Sequence, residues 1–246
     1  MADQHPANQA VRAFWQARSG AAARQAAAGK QDAGSRGAVT AGTHLAALEN
    51  IVVNEFVASG FHPTCIRRRS GIELPGYYRP AKKWDVVVVD KGLLIAAIEF
   101  KSQVGPSFGN NFNNRTEEAI GSATDVWRAY EEGTFGAVRP WLGYFFLLEE
   151  APASTRPVGI PATIFPVETI FEGTSYKDRY RILCQRLVRE RLYDAACFLT
   201  STTDASIDEP EPELSFAVFA SKIAGRAAEI QALKSTGGLP ELASDD

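Results

Sequence analysis

The segment WDVVVVDKGLLIAAIEFK, residues 84–101, is mostly apolar and β-branched, yet it carries Asp85, Glu99 and Lys101. Ionised groups are costly to bury unless they are paired or coordinate a metal. A salt bridge at the wet end of a hairpin would account for them, and so would a site. Two carboxylates offer the oxygen donors that suit Mg2+, with waters and substrate phosphates filling the rest of its shell. A metal there would stabilise charge on a phosphodiester and acidify a bound water. Lys101 beside it would orient or deprotonate that water, or stabilise charge at the phosphate. An E-x-K triplet alone is a weak signal. An aspartate fourteen residues ahead of Glu99, with strand pattern on both sides, is a better one.

Such a site makes a geometric demand on the elements that carry it. WDVVVVD is β-branched and too short for a helix; LLIAAIEFK is its partner strand, and Lys91–Gly92 marks the turn. Side chains alternate along a strand, so Glu99 and Lys101 share one face. A three-residue loop, Lys91–Gly92–Leu93, sets Asp85 opposite Glu99. A two-residue loop sends Asp85 to the other face, because one step of register flips every side chain. The site therefore needs an odd loop, or a bulge that does the same job.

The rest of the chain supplies the layers around this hairpin. An Ala-rich helix is expected over 7–28 and a glycine-rich loop over 29–42. Leu45, Leu48, Val52 and Phe56 form one stripe of an amphipathic helix, capped by Thr43 and ended by Gly60. Residues 64–69 suit a short strand with the arginine run, and 70–83 read as a turn or loop. Residues 104–114 (VGPSFGNNFNN) read as a polar loop, with Asn114 and Glu117 as a capping box that opens a helix over 115–132. WLGYFFLLEE is a third strong strand. A helix over 175–191, a buried strand at 195–201, an acidic loop at 204–213 and a helix over 214–234 complete the order. Residues 151–166 hold four prolines and no regular pattern. This is an α/β fold, a central mixed sheet flanked by helices. One domain spans 1–246: a basic helix and Gly-rich loop (1–42), a core (43–201), and a final helix with an acidic tail (202–246).

Composition excludes several classes. The apolar runs are too short for a membrane span, and the N-terminus lacks a signal-peptide core. Cys65, Cys184 and Cys197 fit neither a disulfide framework nor a CxxC zinc pattern, which points to a reducing cytoplasm. His5, His44 and His62 show no metal spacing. The net charge of −3 announces no polyanion partner, but its distribution does. Arg12, Arg18, Arg24, Lys30 and Arg36 lie in the first 40 residues, Arg67, Arg68 and Arg69 form a run, and Arg79, Lys82 and Lys83 follow. Tyr144, Phe145 and Phe146 are read as core, and Tyr77 and Tyr78 as packing residues in a loop.

The arrangement Asp85, Glu99 and Lys101 resembles the PD-(D/E)xK nuclease superfamily, with Trp84 where that pattern has proline and Gln103 two residues past the lysine. The segments DAGSRGAVTAGTHL (32–45), WDVVVVD (84–90) and EFKSQVGPSFGNNFNNRTEEAIGSATD (99–125) are similar to the XhoI family of type II restriction endonucleases. The resemblance implies the restriction-endonuclease-like core and Mg2+-dependent double-strand cleavage of DNA at the palindrome C-T-C-G-A-G, after the first C, with four-base 5′ overhangs. It implies a cognate methyltransferase acting on the same site. A palindrome matches a two-fold protein, hence a homodimer. By the same analogy Asp85 and Glu99 hold the metal and Lys101 serves the water. Of Glu49 and Glu55, on nearly opposite helix faces, Glu49 is the better third ligand because it adjoins the stripe that should face the sheet.

Reading such a site asks for Arg or Lys at guanine and Asn or Gln at adenine. The segment GNNFNNR offers Asn110, Asn111, Asn113 and Arg115, while Asn114 reads as a cap. Arg36, in S-R-G, and Gln103 are further candidates. Arg67, Arg68, Lys82 and Lys83 are placed at phosphates. Two other readings stand beside this one: a structure-selective or repair nuclease of the same superfamily, and a DNA-binding protein without catalysis.

Overall fold

A computed structural model describes residues 5–27 and 44–237, with side chains over 5–21 and 44–237. Arg36, the glycine-rich segment around it, Thr43 and the acidic tail lie outside the described residues. The elements in chain order are α1 (Asn8–Ala27), α2 (Ala46–Ala58), β1 (Ile66–Arg68), β2 (Glu73–Pro75), β3 (Ala81–Lys83), β4 (Val86–Asp90) and β5 (Leu93–Gln103). They continue with α3 (Phe108–Glu131), β6 (Trp141–Glu149), α4 (Pro152–Thr155), α5 (Tyr176–Arg189), β7 (Ala195–Ser201), β8 (Ile207–Asp208) and α6 (Phe216–Ser235). One mixed sheet runs β1-β4-β5-β6-β7-β8. Its β5, β6 and β7 are parallel and the outer pairings antiparallel.

The parallel strands are buried on both faces, which explains why their sequences are nearly continuous apolar runs. Phe145, Leu147, Cys197 and Leu199 face a core shared with α1, α2 and α6. Tyr144, Phe146, Leu148 and Phe198 face the opposite core, shared with α3 and α5. Tyr144, Phe145 and Phe146 are fully buried, as their composition suggests. The three cysteines are unpaired. No helix among the described residues is long and apolar enough to cross a membrane.

The β4–β5 hairpin answers the register question. Lys91 and Gly92 both have positive φ, 48° and 78°, the conformation of a two-residue hairpin turn. Asp90 pairs with Leu93 and Val89 with Leu94, but Val88 then pairs with Ala96, so Ile95 is an extra residue. Ile95 and Ala96, though consecutive, lie in the same core. This β-bulge restores the parity that an even loop would have broken. Val86 pairs with Ile98, which sets Asp85 opposite Glu99.

Five local expectations need correction. Residues 70–83 are not open loop: β2 and β3 form an antiparallel ribbon, with Leu74 paired to Lys82. Helix α3 begins at Phe108, not near 115, and Asn114 lies inside it without a capping box. The residues responsible are apolar: Phe108 stacks on Tyr176 at 6.1 Å and Phe112 meets Tyr180 at 5.1 Å. Packing these two rings, one turn apart, against α5 outweighs the weak helix propensity of four asparagines. Tyr77 and Tyr78 are 46% and 69% exposed and pack on each other, ring centroids 4.8 Å apart, rather than into the core. The acidic loop contains a short strand, β8, and the proline segment a short helix, α4.

Candidate active site at the carboxyl end of β5

Asp85 enters the sheet one residue before β4. Its backbone N–H donates to the Ile98 carbonyl at 3.3 Å. Its carboxylate Oδ2 accepts the Phe100 N–H at 2.7 Å, so the side chain replaces a strand partner where β5 runs on past the start of β4. Burial raises the Asp85 carboxyl above the usual range, against the Phe100 hydrogen bond and the nearby lysines. Its other oxygen is the one available to a ligand.

Glu99 is only 2% exposed. Lys101 Nζ lies 2.6 Å from its Oε1 and Lys82 Nζ 3.1 Å from its Oε2. Burial alone would push this carboxyl up, but the two ammonium groups more than offset that and hold it below the usual range. The lysines respond differently. Burial costs Lys101 water, yet Glu99, with Glu118 at 3.4 Å, leaves its pKa raised. Lys82 is desolvated more than Glu99 compensates, and its pKa falls. Lys82 also packs over the Trp84 ring, 4.2 Å from its centroid. The sequence suggested a phosphate contact at Lys82; the structure commits its ammonium to Glu99.

Glu49 projects from the first turn of α2. Its carboxyl is raised to about 7, chiefly by burial and next by Asp85, against Arg68 and Arg69. Burial and mutual repulsion disfavour the ionised forms of these two carboxyls, and a divalent cation between them would favour ionisation. Among the described residues no three His, Cys, Asp or Glu side chains converge as a preformed metal cage. A set of one or two carboxylates, completed by waters and phosphates, is what Mg2+ commonly takes, so Asp85 and Glu49 fit it as they stand. Glu99 can join once an ammonium leaves it.

A cleft of about 540 Å3 opens beside these groups. Asp85, Lys101 and Gln103 line its floor, and one face of α3 lines its wall with Asn110, Asn111, Asn114 and Arg115. The spacing of those four is that of one helix face. Asn113 is exposed and does not line the cleft, whereas Asn114, read as a cap, does. Gln103 is 2% exposed, and its amide donates to the Val104 carbonyl at 2.9 Å. Arg67 and Lys83 are exposed, on β1 and β3, and Arg68 hydrogen-bonds Asn50 of α2.

Sequence reasoning missed several contributors. Arg18 reaches the cleft from α1, and His44 lines it as well. Arg18 lies one helical turn past Phe14, over whose ring it sits at 5.8 Å, so the apolar stripe was the available signal. His44 is lowered to about 4 by burial and then by Arg18, so it is neutral at ordinary pH. Asp125, 2% exposed on α3, accepts from the Tyr77 and Tyr78 N–H groups at 2.7 and 2.8 Å and from Arg79 Nε at 2.6 Å.

Comparison with known proteins gives this geometry its context. The family model described as restriction endonuclease XhoI matches residues 24–210. The type II restriction enzyme BstVI of Geobacillus stearothermophilus is 46% identical over 71% of this chain and 80% of its own length. The type II restriction enzyme XhoI of Xanthomonas vasicola is 43% identical over 72% of each chain. The type II restriction enzyme AbrI of Azospirillum brasilense is 47% identical over 61% of this chain and 68% of its own. No solved structure matches the chain. Enzymes of this class generally use divalent metal ions. The chain belongs to the XhoI family of type II restriction endonucleases, site-specific deoxyribonucleases.

Proposed function

We propose that this protein is a homodimeric, Mg2+-dependent endonuclease that cuts both strands of DNA at the palindrome C-T-C-G-A-G, leaving four-base 5′ overhangs. It works in the cytoplasm beside a methyltransferase that protects the same site. The observation that carries the chemistry is the convergence of Asp85, Glu99 and Lys101 at one end of a buried hairpin, phased by the bulge at Ile95. Family membership supports the target, and a palindrome supports two-fold symmetry.

Asp85 and Glu49 hold the cation, with Glu99 as the third carboxylate. The bound ion supplies charge stabilisation at the phosphate and a more acidic water. Lys101 holds its ammonium 2.6 Å from Glu99 Oε1, at the edge of the cleft, where it orients the attacking water and stabilises charge at the phosphate. Arg18, Arg67, Arg68 and Lys83 supply positive charge for the backbone, which positions DNA without reading it, and Arg36, in the segment outside the described residues, is a further reader of base edges. Asn110, Asn111, Asn114 and Arg115, with Gln103 at the floor, present donors and acceptors to base edges, Asn suiting adenine and Arg guanine. Asn113 points off that face and contributes less.

Unmethylated DNA of known sequence, incubated with and without Mg2+, tests the proposal. Discrete Mg2+-dependent fragments whose ends all map to C-T-C-G-A-G are expected, and none with Lys101→Ala. Fragments ending at another fixed sequence would overturn the target but keep the enzyme class. Cleavage by Lys101→Ala at the wild-type rate would overturn the site.

A further inference from the structure

We infer that Lys82 is a positioning residue of the catalytic centre, and that the β2–β3 ribbon exists to deliver it. The inference rests on the reading of Asp85, Glu99 and Lys101 above and adds a role that the E-x-K pattern does not contain.

Lys82 is the second ammonium on a buried carboxylate. Its Nζ sits 3.1 Å from Glu99 Oε2, and its side chain is 13% exposed. The Trp84 ring forms its floor at 4.2 Å, a cation–π contact that excludes water from one side. A lysine meant for the DNA backbone would be free to reach out, as exposed Lys83 is. Lys82 is turned inward.

The ribbon that carries it is held on three sides. Lys82 pairs with Leu74 across the ribbon. The Trp84 N–H donates to the Ile72 carbonyl at 2.9 Å and closes its base. At its tip, the Asp125 carboxylate of α3 collects the Tyr77 and Tyr78 amides and the Arg79 guanidinium. Gly76 permits that approach: a Cβ there would sit 2.5 Å from Asp125 Oδ2 and 2.8 Å from the Arg79 carbonyl. Tyr77 and Tyr78 remain exposed residues, so the tip is fixed mainly by hydrogen bonds rather than by burial.

The chemical consequence concerns Lys101. With one counter-ion only, a buried Glu99 would hold Lys101 tightly, because breaking that pair would strand a charge. Lys82 at Oε2 keeps Glu99 compensated and oriented, which lets Lys101 leave Oε1 and serve the reacting water. Lys82 acts through Glu99 and does not itself touch the substrate.

The test compares wild type, Lys82→Gln, Lys82→Arg and Lys101→Ala. DNA affinity is measured without metal, and cleavage is measured in single turnover at saturating enzyme with Mg2+. Lys82→Gln should lower the cleavage rate about tenfold or more while metal-free DNA affinity stays within about threefold, the signature of a lost contribution to the reacting state rather than to binding. Lys82→Arg, which keeps a cation on Glu99, should recover most of the rate. Unchanged cleavage by Lys82→Gln would overturn the inference. So would weakened binding with a normal rate at saturation, which would make Lys82 a phosphate contact. Should Lys82→Gln fail to fold, Gly76→Ala displaces the ribbon with Lys82 in place and must show the same fall in rate at unchanged affinity; a folded Gly76→Ala with wild-type rate also overturns it. Absence of cleavage by the wild-type protein would sink the underlying nuclease reading, a result distinct from any of these.

Discussion

Two antiparallel pairs bring charge to Glu99, and they hold it by different physics. The β4–β5 hairpin lies in the middle of the sheet, with apolar cores on both faces, and its accuracy comes from register. The β2–β3 ribbon is three residues long in each strand and largely exposed, and its accuracy comes from anchors at its ends: the Trp84 N–H on the Ile72 carbonyl at its base and the buried Asp125 carboxylate at its tip. A buried hairpin cannot drift, because a one-residue slip would exchange its two faces. A surface ribbon can, so it needs anchors of its own. The hairpin supplies Asp85, Glu99 and Lys101; the ribbon supplies Lys82.

The largest effect that tests this contrast is chemical. Asp85→Asn keeps an oxygen for the Phe100 N–H but removes the charge, and Lys101→Ala removes the ammonium. Each should slow single-turnover cleavage by about a thousandfold, with melting temperature little changed. A large loss of stability in Asp85→Asn would show instead that the hairpin depends on the charge.

The next effect is on the hairpin's phase. Arg226 of α6 is 6% exposed, and its guanidinium donates to the Ile95 carbonyl at 3.2 Å and to the Arg139 carbonyl at 2.7 Å. It thus satisfies the carbonyl of the bulge residue itself. Arg226→Met leaves two carbonyls without their donor and should cost about 3 kcal/mol. For a chain of this size that corresponds to a melting point roughly 10 °C lower. A shift under about 2 °C would show that the bulge holds itself.

A smaller effect should appear at the ribbon as pH falls. Burial pushes the Asp125 carboxyl up, but Arg79 and the Tyr78 and Tyr77 amides outweigh it, so its folded pKa lies below the ordinary value. Its contribution is therefore fully present above the unfolded pKa of about 3.9. It is lost as pH falls through the lower folded pKa. Urea melts of wild type and Asp125→Asn should differ at pH 6, and the difference should shrink below about pH 4. A difference independent of pH would mean that the charge on Asp125 does not matter. The smallest effect is kinetic: backbone amides over 73–83 should exchange with solvent before those over 93–103, because the ribbon buries less. Equal protection would erase the contrast between the two pairs.

Much of the architecture was legible in the residues. The valine run, the turn at Lys91–Gly92 and the alternation around Glu99 and Lys101 defined the hairpin, and the demand for an odd loop or a bulge followed from parity alone. The sequence could not say which device is used, because an I′ turn with a bulge and a three-residue loop satisfy the same pattern. It also misjudged GNNFNN, since asparagine propensity is local while the contacts of Phe108 and Phe112 with Tyr176 and Tyr180 are made with a helix about seventy residues away. The same local view left 70–83 as a loop: Asp125, which pins it, lies nearly fifty residues further on.

The sequence by itself determined the chemistry on offer: two carboxylates and a lysine on neighbouring strands, and a family that cuts DNA at specific sites. It did so because strand periodicity and motif spacing are properties of consecutive residues. Only the tertiary structure decided how these groups are held. Ile95 set the phase, Arg226 satisfied its carbonyl from the last helix, and Lys82 came to Glu99 on a ribbon tied to α3. Each depends on residues far apart in the chain meeting in a space from which water is excluded, where an unpaired carbonyl or charge costs too much to leave unmet.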